Sequence, residues 1–256
     1  MEKTLITYNV NGIRAAMKKG FAEWLKNEQF DFVCIQETKA QPEQIDSAVF
    51  KYLGYHYHWY SAIKKGYSGV GILSKQKPDF VERGIGIDEF DHEGRVIRAD
   101  FGDISILSTY FPSGSSGDIR QAVKMRFLDA YYDFLQKLKQ TRPKLIVCGD
   151  YNICHKPIDI HDPVSNKDSS GFLPEERQWM DRFFESGFID SFRVFHSEAH
   201  QYSWWSFRAN ARANNKGWRI DYNSVSKPMK NQLLDAAILP EVKHSDHCPV
   251  LLKFNQ

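Results

Sequence analysis

The sequence predicts an α+β fold in which two mixed sheets pack face to face with helices on their outer faces. Three observations carry this expectation. Strand-like runs outnumber helical patterns, and the two kinds do not alternate strictly along the chain. Many of the runs are apolar on consecutive residues, as strands covered on both faces are. An open parallel sheet is the alternative. No polar linker, low-complexity stretch or internal repeat divides the chain, so residues 1–256 read as one domain.

In chain order the strand-like runs are LITYNV, DFVCIQ, YHYHWYSA, GVGILS, RVIRADF, ISILSTYF, KLIVCGD, RIDYNSVS and CPVLLKF. ADFGDIS joins two of them and reads as a hairpin turn at Gly102. Three helical patterns lie between the runs. GFAEWLKNEQF places Phe21, Trp24 and Leu25 on one stripe. Asp118 to about Thr141 repeats Val123, Phe127, Leu128, Tyr131, Leu135 and Leu138 at helical spacing. LPEERQWMDRFFESG has Pro174 and two acids suited to a first turn, with Gly187 suited to the end.

Composition narrows the class. Hydrophobic residues make up 42% and aromatics 14%, ample for a sizeable core. The start, MEKTLITYNV, lacks a secretory pattern, and no apolar run approaches the roughly 20 residues a bilayer requires. The expectation is a soluble cytoplasmic monomer, nucleoid-associated in a bacterium, with no membrane partner. Cys34, Cys148, Cys154 and Cys248 form no C-x-x-C pair and read as small core residues of a reducing compartment. The net charge of +2 neither announces nor excludes a nucleic-acid partner, because phosphate binding needs a local basic surface.

Candidate chemistry sits where strands end. LITY runs into Asn9 and Asn11, FVCI into Glu37, LIVC into Asp150 and Asn152, and Asp246 and His247 precede the last strand. One polar strand end is ordinary. Four, sharing one rim, would gather carboxylates, carboxamides and an imidazole. Oxygen donors of this kind suit a hard cation such as Mg²⁺, whereas zinc asks for more His or Cys. Asn9 also reads as a plain turn residue beside Gly12. Ser245-Asp246-His247 is a poor serine triad: no G-x-S-x-G elbow exists, and adjacent residues point in different directions. GYSGVG has no following helix pattern, which disfavours a dinucleotide-binding turn. Metal-assisted attack of water on a phosphate ester remains.

Eight motifs then occur in order: N-x-N-G-[IL]-R from Asn9, Q-E-T-K from Gln36, G-Y-S-G-V-G from Gly66, T-Y-F-P from Thr109, G-D-x-N from Gly149, S-G-F-L-P-E-E-R from Ser170, W-W-S-[FY]-R…N-A-R…G-W-R-I-D-Y from Trp204, and S-D-H from Ser245. On these the chain resembles, over nearly its whole length, the exodeoxyribonuclease III family of apurinic/apyrimidinic endonucleases, within the endonuclease/exonuclease/phosphatase superfamily. The resemblance implies a four-layered αββα sandwich and an Mg²⁺-dependent DNA repair nuclease, with Mn²⁺ able to substitute. Its partner would be double-stranded DNA carrying abasic sites or blocked 3′ ends.

It also implies roles. Glu37 is the main metal ligand, beside Asn9 or Asn11. Asp150 activates water, Asn152 steadies it, and both stand near the metal. His247 contacts the scissile phosphate, and Asp246 orients that imidazole or touches the metal. Tyr110 lies against the phosphate or the leaving oxygen, and Asp221 supports from behind. Trp204 and Trp218 wall a pocket for a flipped, baseless sugar, while Arg208 wedges into the helix. Lys39, Tyr67 and Arg177 hold phosphates, and the N-A-R motif adds Asn210 and Arg212 to the DNA face. Ser113 stands where relatives carry Asn or Gln, which implies a looser contact near the phosphate.

Trp204, Trp205, Phe207 and Trp218 interleave with Arg208, Arg212, Lys216 and Arg219, the composition expected where stacking and phosphate contacts combine. Blander readings apply elsewhere. His56 and His58 lack further ligands, His155 and His161 are loop histidines, and Arg95 and Arg98 read as cover for a sheet face. Two other functions compete: a phosphatase or sphingomyelinase-like phosphodiesterase of the same superfamily, and a DNA-binding module without catalysis.

Overall fold

The computed structural model describes residues 1–256. Its strands are β1 Glu2–Asn9, β2 Phe32–Gln36, β3 His56–Tyr60, β4 Val70–Ser74, β5 Phe80–Arg83, β6 Val96–Phe101, β7 Ile104–Tyr110, β8 Lys144–Asp150, β9 Phe188–Asp190, β10 Trp204–Trp205, β11 Gly217–Trp218, β12 Asp221–Ser226, β13 Leu233–Ile238 and β14 Val250–Asn255. The helices are α1 Ile13–Lys18, α2 Phe21–Glu28, α3 Ser47–Tyr52, α4 Asp88–Asp91, α5 Asp118–Thr141, α6 Pro174–Glu185 and α7 Ser191–Phe195. No helix is long and apolar enough to cross a membrane.

Two six-stranded sheets form, in the orders β13-β14-β1-β2-β4-β3 and β5-β6-β7-β8-β12-β9. Each is antiparallel except for one parallel pair near its centre, β1 with β2 and β7 with β8. The expected pair of face-to-face mixed sheets is therefore found, rather than one open parallel sheet. Strand period explains the layers. In β2, Phe32 and Cys34 point between the sheets, where they meet Ile97, Ile106, Ile146 and Cys148. Val33 and Ile35 point outward onto Phe21 and Leu25 of α2 and Phe50 of α3. On the second sheet, Leu107 and Val147 face Phe127, Leu128 and Tyr131 of α5 and Trp179 and Phe183 of α6. Both faces of each central strand are covered, which is why those runs are apolar throughout.

The long helix has the bounds its apolar spacing predicts, and Gly102 makes the β6–β7 turn at φ +59°. Periodicity does not reveal β5, β9 and β13. All three are sheet edges, and β5 and β9 are only 4 and 3 residues long. An edge strand with one partner needs little pattern.

Charge is also buried. Arg219, 1% exposed, donates from Nε to Asp159 Oδ1 at 2.8 Å and from Nη2 to Asp190 Oδ2 at 2.7 Å. Arg193 Nη2 reaches the same Asp159 oxygen at 2.5 Å. Burial alone would raise the Asp159 carboxyl, but the two guanidiniums outweigh it and hold it down at about 2. A folded-state value below the unfolded one gives stability that is complete above about pH 4 and lost as pH falls towards 2. That proton-linked part is worth about 2 kcal/mol. The stability gap between the parent protein and Asp159→Asn should be full at pH 6 and should narrow below pH 4. Denaturant titration across that range checks it, and a gap independent of pH would contradict the assignment.

Candidate active site

Parallel pairing at the two sheet centres puts the C-terminal ends of β1, β2, β7 and β8 on one rim, with the N-terminal end of β12 beside them. Tyr110 pairs with Asp150, and Asp150 with Asp221, so three neighbouring strands present these side chains at one level. The chain leaves the strands through left-handed residues, Asn11 at φ 46°, Glu37 at φ 52° and Asn152 at φ 52°. Such conformations are costly away from glycine and concentrate at functional loops. Asn9 Oδ1 accepts the Asn11 amide at 2.9 Å, and Asp150 Oδ1 accepts the Asn152 amide at 2.8 Å. N-x-N and D-x-N are thus the same turn on opposite sheets. Just before Asp150, Gly149 lies so close to β7 that a Cβ would stand 1.8 Å from the Thr109 carbonyl oxygen. Only glycine fits there.

Asn9 Nδ2 donates to Glu37 Oε1 and to Asp150 Oδ2, each at 2.8 Å. Ligand atoms of Glu37, Asp150 and His247 all lie within 4.8 Å of one another. His247 Nε2 stands 3.9 Å from Asp150 Oδ2, and its Nδ1 donates to Asp221 Oδ2 at 2.9 Å. Ser203 Oγ in turn donates to Asp221 Oδ2 at 2.6 Å. Burial works against a charged His247, but the Asp221 carboxylate foremost, with Asp150 and Asp246, raises the imidazole to about 10. These carboxylates favour the imidazolium form. Burial raises the Asp150 carboxyl, and Asp221 and Glu37 push the same way while His247 opposes them. The Tyr110 phenol is driven well above its usual range by burial and by Glu37 and Asp150, so it remains a hydrogen-bond donor.

Glu37, Asp150, Asp221 and Asp246 outnumber the cations His247 and Lys39 at this rim. The Lys39 ammonium already lies 2.7 Å from Glu37 Oε2. Two convergent carboxylates beside the Asn152 carboxamide offer hard oxygens, and the imidazole Nδ1 is committed to Asp221. This donor set fits a hard divalent cation better than zinc.

These residues open onto a cavity of ≈ 280 Å³ that Tyr110, Asn152, Ser113, Trp204, Trp218 and Asp246 also line. The two indoles pair across β10 and β11, with ring centroids 5.9 Å apart at 84°. Gly171 backs this wall, and a Cβ on it would come 2.8 Å from the Trp218 ring. Lys39 also lines a neighbouring open cavity of ≈ 590 Å³ with Arg14 and Lys18. Tyr67 and Ser113 line another of ≈ 400 Å³ with Lys64, Arg95 and Arg120. Arg208 and Asn210 are exposed on the loop after Phe207.

Several expectations need correction. Asp246 does not orient His247: it accepts from Asn11 Nδ2 at 2.9 Å and from Trp204 Nε1 at 3.0 Å, and Asp221 takes the imidazole instead. Asn9 presents its amide nitrogen, not its oxygen, to the carboxylates. Asn11 Oδ1 is occupied by Lys39 Nζ. The Arg212 guanidinium is spent on the carbonyls of Ser245, Pro240 and Val242 and stacks over Trp205, 4.7 Å from the ring centroid. It braces the loop rather than facing DNA. Arg177 does not line the cavity; it stacks over the Phe172 ring and donates to its carbonyl at 3.2 Å. The Tyr67 hydroxyl accepts from both Arg95 and Arg120 at 2.9 Å. Arg95 is the residue the sequence reading undervalued. It is 1% exposed, donates to the Tyr110 carbonyl at 2.9 Å and pairs with Glu93. Its one signal was its place directly before a wholly apolar strand start.

Residues 6–222 match the Endonuclease/Exonuclease/phosphatase family. An exodeoxyribonuclease of Bacillus subtilis is 45% identical over 253 residues, covering 98% of this chain and 99% of that protein. Among solved structures, an AP endonuclease from Archaeoglobus fulgidus superposes with a TM-score of 0.92 at 30% identity, covering 99% of this chain and all of the other. A 3′-5′ exonuclease from Neisseria meningitidis reaches the same TM-score at 27% identity, with 99% of this chain and 100% of that one covered.

The imidazole assignment is open to direct measurement. Followed by NMR without divalent metal, His247 should titrate near pH 10, and Asp221→Asn should move its midpoint to lower pH. Asp246→Asn should move it less. A midpoint that responds to Asp246 and not to Asp221 would contradict the geometry.

Proposed function

The chain belongs to the endonuclease/exonuclease/phosphatase family, a family of metal-dependent phosphodiesterases, and from that premise we propose that it incises DNA on the 5′ side of abasic sites. It also trims 3′ ends, as 3′→5′ exonuclease and 3′-end cleaner on double-stranded DNA. One observation carries the reading. Glu37, Asp150 and His247 converge within 4.8 Å at the floor of a cavity whose walls are Trp204 and Trp218. A phosphodiester on that floor would leave its sugar against indole faces. Such walls favour a sugar that has lost its base and flipped out of the duplex. Names borne by relatives, AP endonuclease and 3′-5′ exonuclease, support the same two reactions. The reading treats residues 1–256 as one domain, which the shared apolar layer between the sheets supports.

Asp150 is the general base. Burial and anionic neighbours raise its proton affinity, bringing it nearer the working pH, where a base is most effective. Asn152, tied to Asp150 through its own amide, keeps its carboxamide beside the attacking water. His247, fixed by Asp221, aims a charged N–H at a phosphoryl oxygen as negative charge grows there. Tyr110 stays a phenol donor near the leaving oxygen. Glu37 would be the main holder of Mg²⁺, with Mn²⁺ as a substitute, and the ion would act as Lewis acid on the phosphate ester. Arg208 and Phe207, both exposed, are free to enter the duplex at the lesion, while Arg14, Lys18 and Lys39 line a path for the backbone. Small phosphomonoester or phospholipid substrates would leave the tryptophan walls and the Arg208 loop without a role.

A labelled duplex with one abasic-site analogue should be nicked 5′ to the lesion with Mg²⁺ and left intact with EDTA. No nicking, or equal hydrolysis of an inositol phosphate, would sink the proposal. Asp150→Asn should slow incision by at least about a hundredfold with DNA affinity near that of the parent. Trp218→Ala should harm abasic incision more than digestion of a plain 3′ end, and equal losses would remove Trp218 from the pocket.

A further inference from the structure

Lys124 and Glu176 are each 0% exposed, yet neither touches the reacting atoms. They come from α5 and α6, on the outer face of the second sheet. Lys124 Nζ donates to Glu176 Oε1 at 2.5 Å and to the Asn152 carbonyl at 2.8 Å. Glu176 Oε2 accepts the backbone N–H groups of Gly171 at 2.6 Å and Leu173 at 3.0 Å. Gln121, one helical turn earlier on α5, donates to Glu176 Oε1 at 3.0 Å and accepts the Ser170 hydroxyl at 2.8 Å. Every bond leaving this network therefore ends on a segment that lines the cavity.

Stability alone is a weak reason to bury such a pair. Taking two charges out of water costs several kcal/mol for each ion, and apolar residues of similar volume commonly serve as well. Direction is what the pair adds. Asn152 holds φ 52°, and its carbonyl accepts from a fully buried Lys124 that is also bonded to Glu176. Gly171 is in contact on both sides: a Cβ there would lie 2.8 Å from the Trp218 ring and 3.1 Å from the Asn152 carbonyl oxygen. Its own carbonyl accepts the Cys154 amide at 2.7 Å.

We propose that Lys124 and Glu176 are positioning residues for abasic-site incision. They clamp Asn152 and the Ser170–Leu173 segment to the helical layer, so that the hydrolytic floor and the tryptophan wall keep a fixed separation. The inference rests on the incision reading above. Release of the clamp lowers turnover through Asn152 and abasic preference through Trp218, while the outer DNA-binding surface is unchanged.

The test uses the full chain with the charge-neutral pair Lys124→Met and Glu176→Gln, which leaves no lone buried ion and keeps an acceptor near Gly171. Unfolding should remain cooperative, and affinity for abasic duplex in EDTA should stay within about threefold. Single-turnover incision should fall at least about tenfold, since small misplacements near reacting groups are expensive. Amide exchange at Gly171 and Leu173, a readout independent of activity, should quicken. Incision within about threefold of the parent overturns the proposal. If the double variant does not fold, Gln121→Leu takes its place, because Gln121 is half-buried and outside the ion pair. It should lower the ratio of abasic incision to 3′-end digestion, and an unchanged ratio overturns the proposal. A parent protein that leaves the abasic duplex uncut would fail the incision reading instead, whatever the variants do.

Discussion

A single carboxamide sets the spacing on which the site depends. Asn9 Nδ2 gives one hydrogen to Glu37, beyond the end of β2, and the other to Asp150, at the end of β8 in the opposite sheet. Two carboxylates 4 Å apart repel by about 4 kcal/mol at the effective dielectric near a protein surface. A neutral donor between them relieves part of that repulsion without consuming charge. The arrangement works only because β1 pairs directly with β2 and also faces β8 across the apolar layer. Sheet packing, a non-directional force, thus fixes a polar distance.

The imidazole completes the electrostatics from the other side. Asp221 and Asp150 are register partners, and His247 stands beside their carboxylates, its Nδ1 bonded to Asp221 and its Nε2 3.9 Å from Asp150. A charge held in place before reaction costs no reorganisation when the phosphate becomes more negative. The adjacent Asp246 points away, to Asn11 and to the Trp204 indole. Consecutive residues outside a helix rarely share a target. Here the two divide the work, His247 bonding to Asp221 beside Asp150 and Asp246 tying the Trp204 indole to the turn after β1.

That division explains which parts were legible in the sequence. Strand ends and the long helix follow from local signals: apolar period, polar clusters and capping residues. The meeting of Glu37, Asp150 and His247 is an expectation conditional on a shared rim and on the family resemblance. The partner of His247 has no local signal, because Asp221 lies 26 residues earlier and reaches it only through strand register. Arg208 and Arg212 look alike in sequence, yet one is exposed and the other is turned inward onto three carbonyls. Lys124 was hidden for a different reason. It falls on the buried stripe with Phe127, Leu128 and Tyr131, where an apolar search passes over a charged residue. Edge strands such as β5 were missed because one-sided pairing leaves their composition almost free.

Two of the buried ion networks, Asp159–Arg219 and Lys124–Glu176, share a location that the core alone does not explain. Arg219 follows Trp218 directly, and its backbone amide donates to the Asp159 carbonyl at 2.7 Å, while Ile160 makes a bridge to Trp218 itself. Lys124 and Glu176 approach the same indole from behind, through Gly171. The central strands need no such help, because ladder hydrogen bonds fix both their distance and their direction. Loops have no ladder, and apolar contact holds a distance but tolerates rotation and sliding. Ion pairs with fixed hydrogen-bond geometry supply the missing direction, at a cost in desolvation. These two networks meet around one tryptophan, whereas Arg95 with Glu93 braces the Tyr110 carbonyl elsewhere on the rim. Buried charge here supports loops and strand ends rather than the apolar layers.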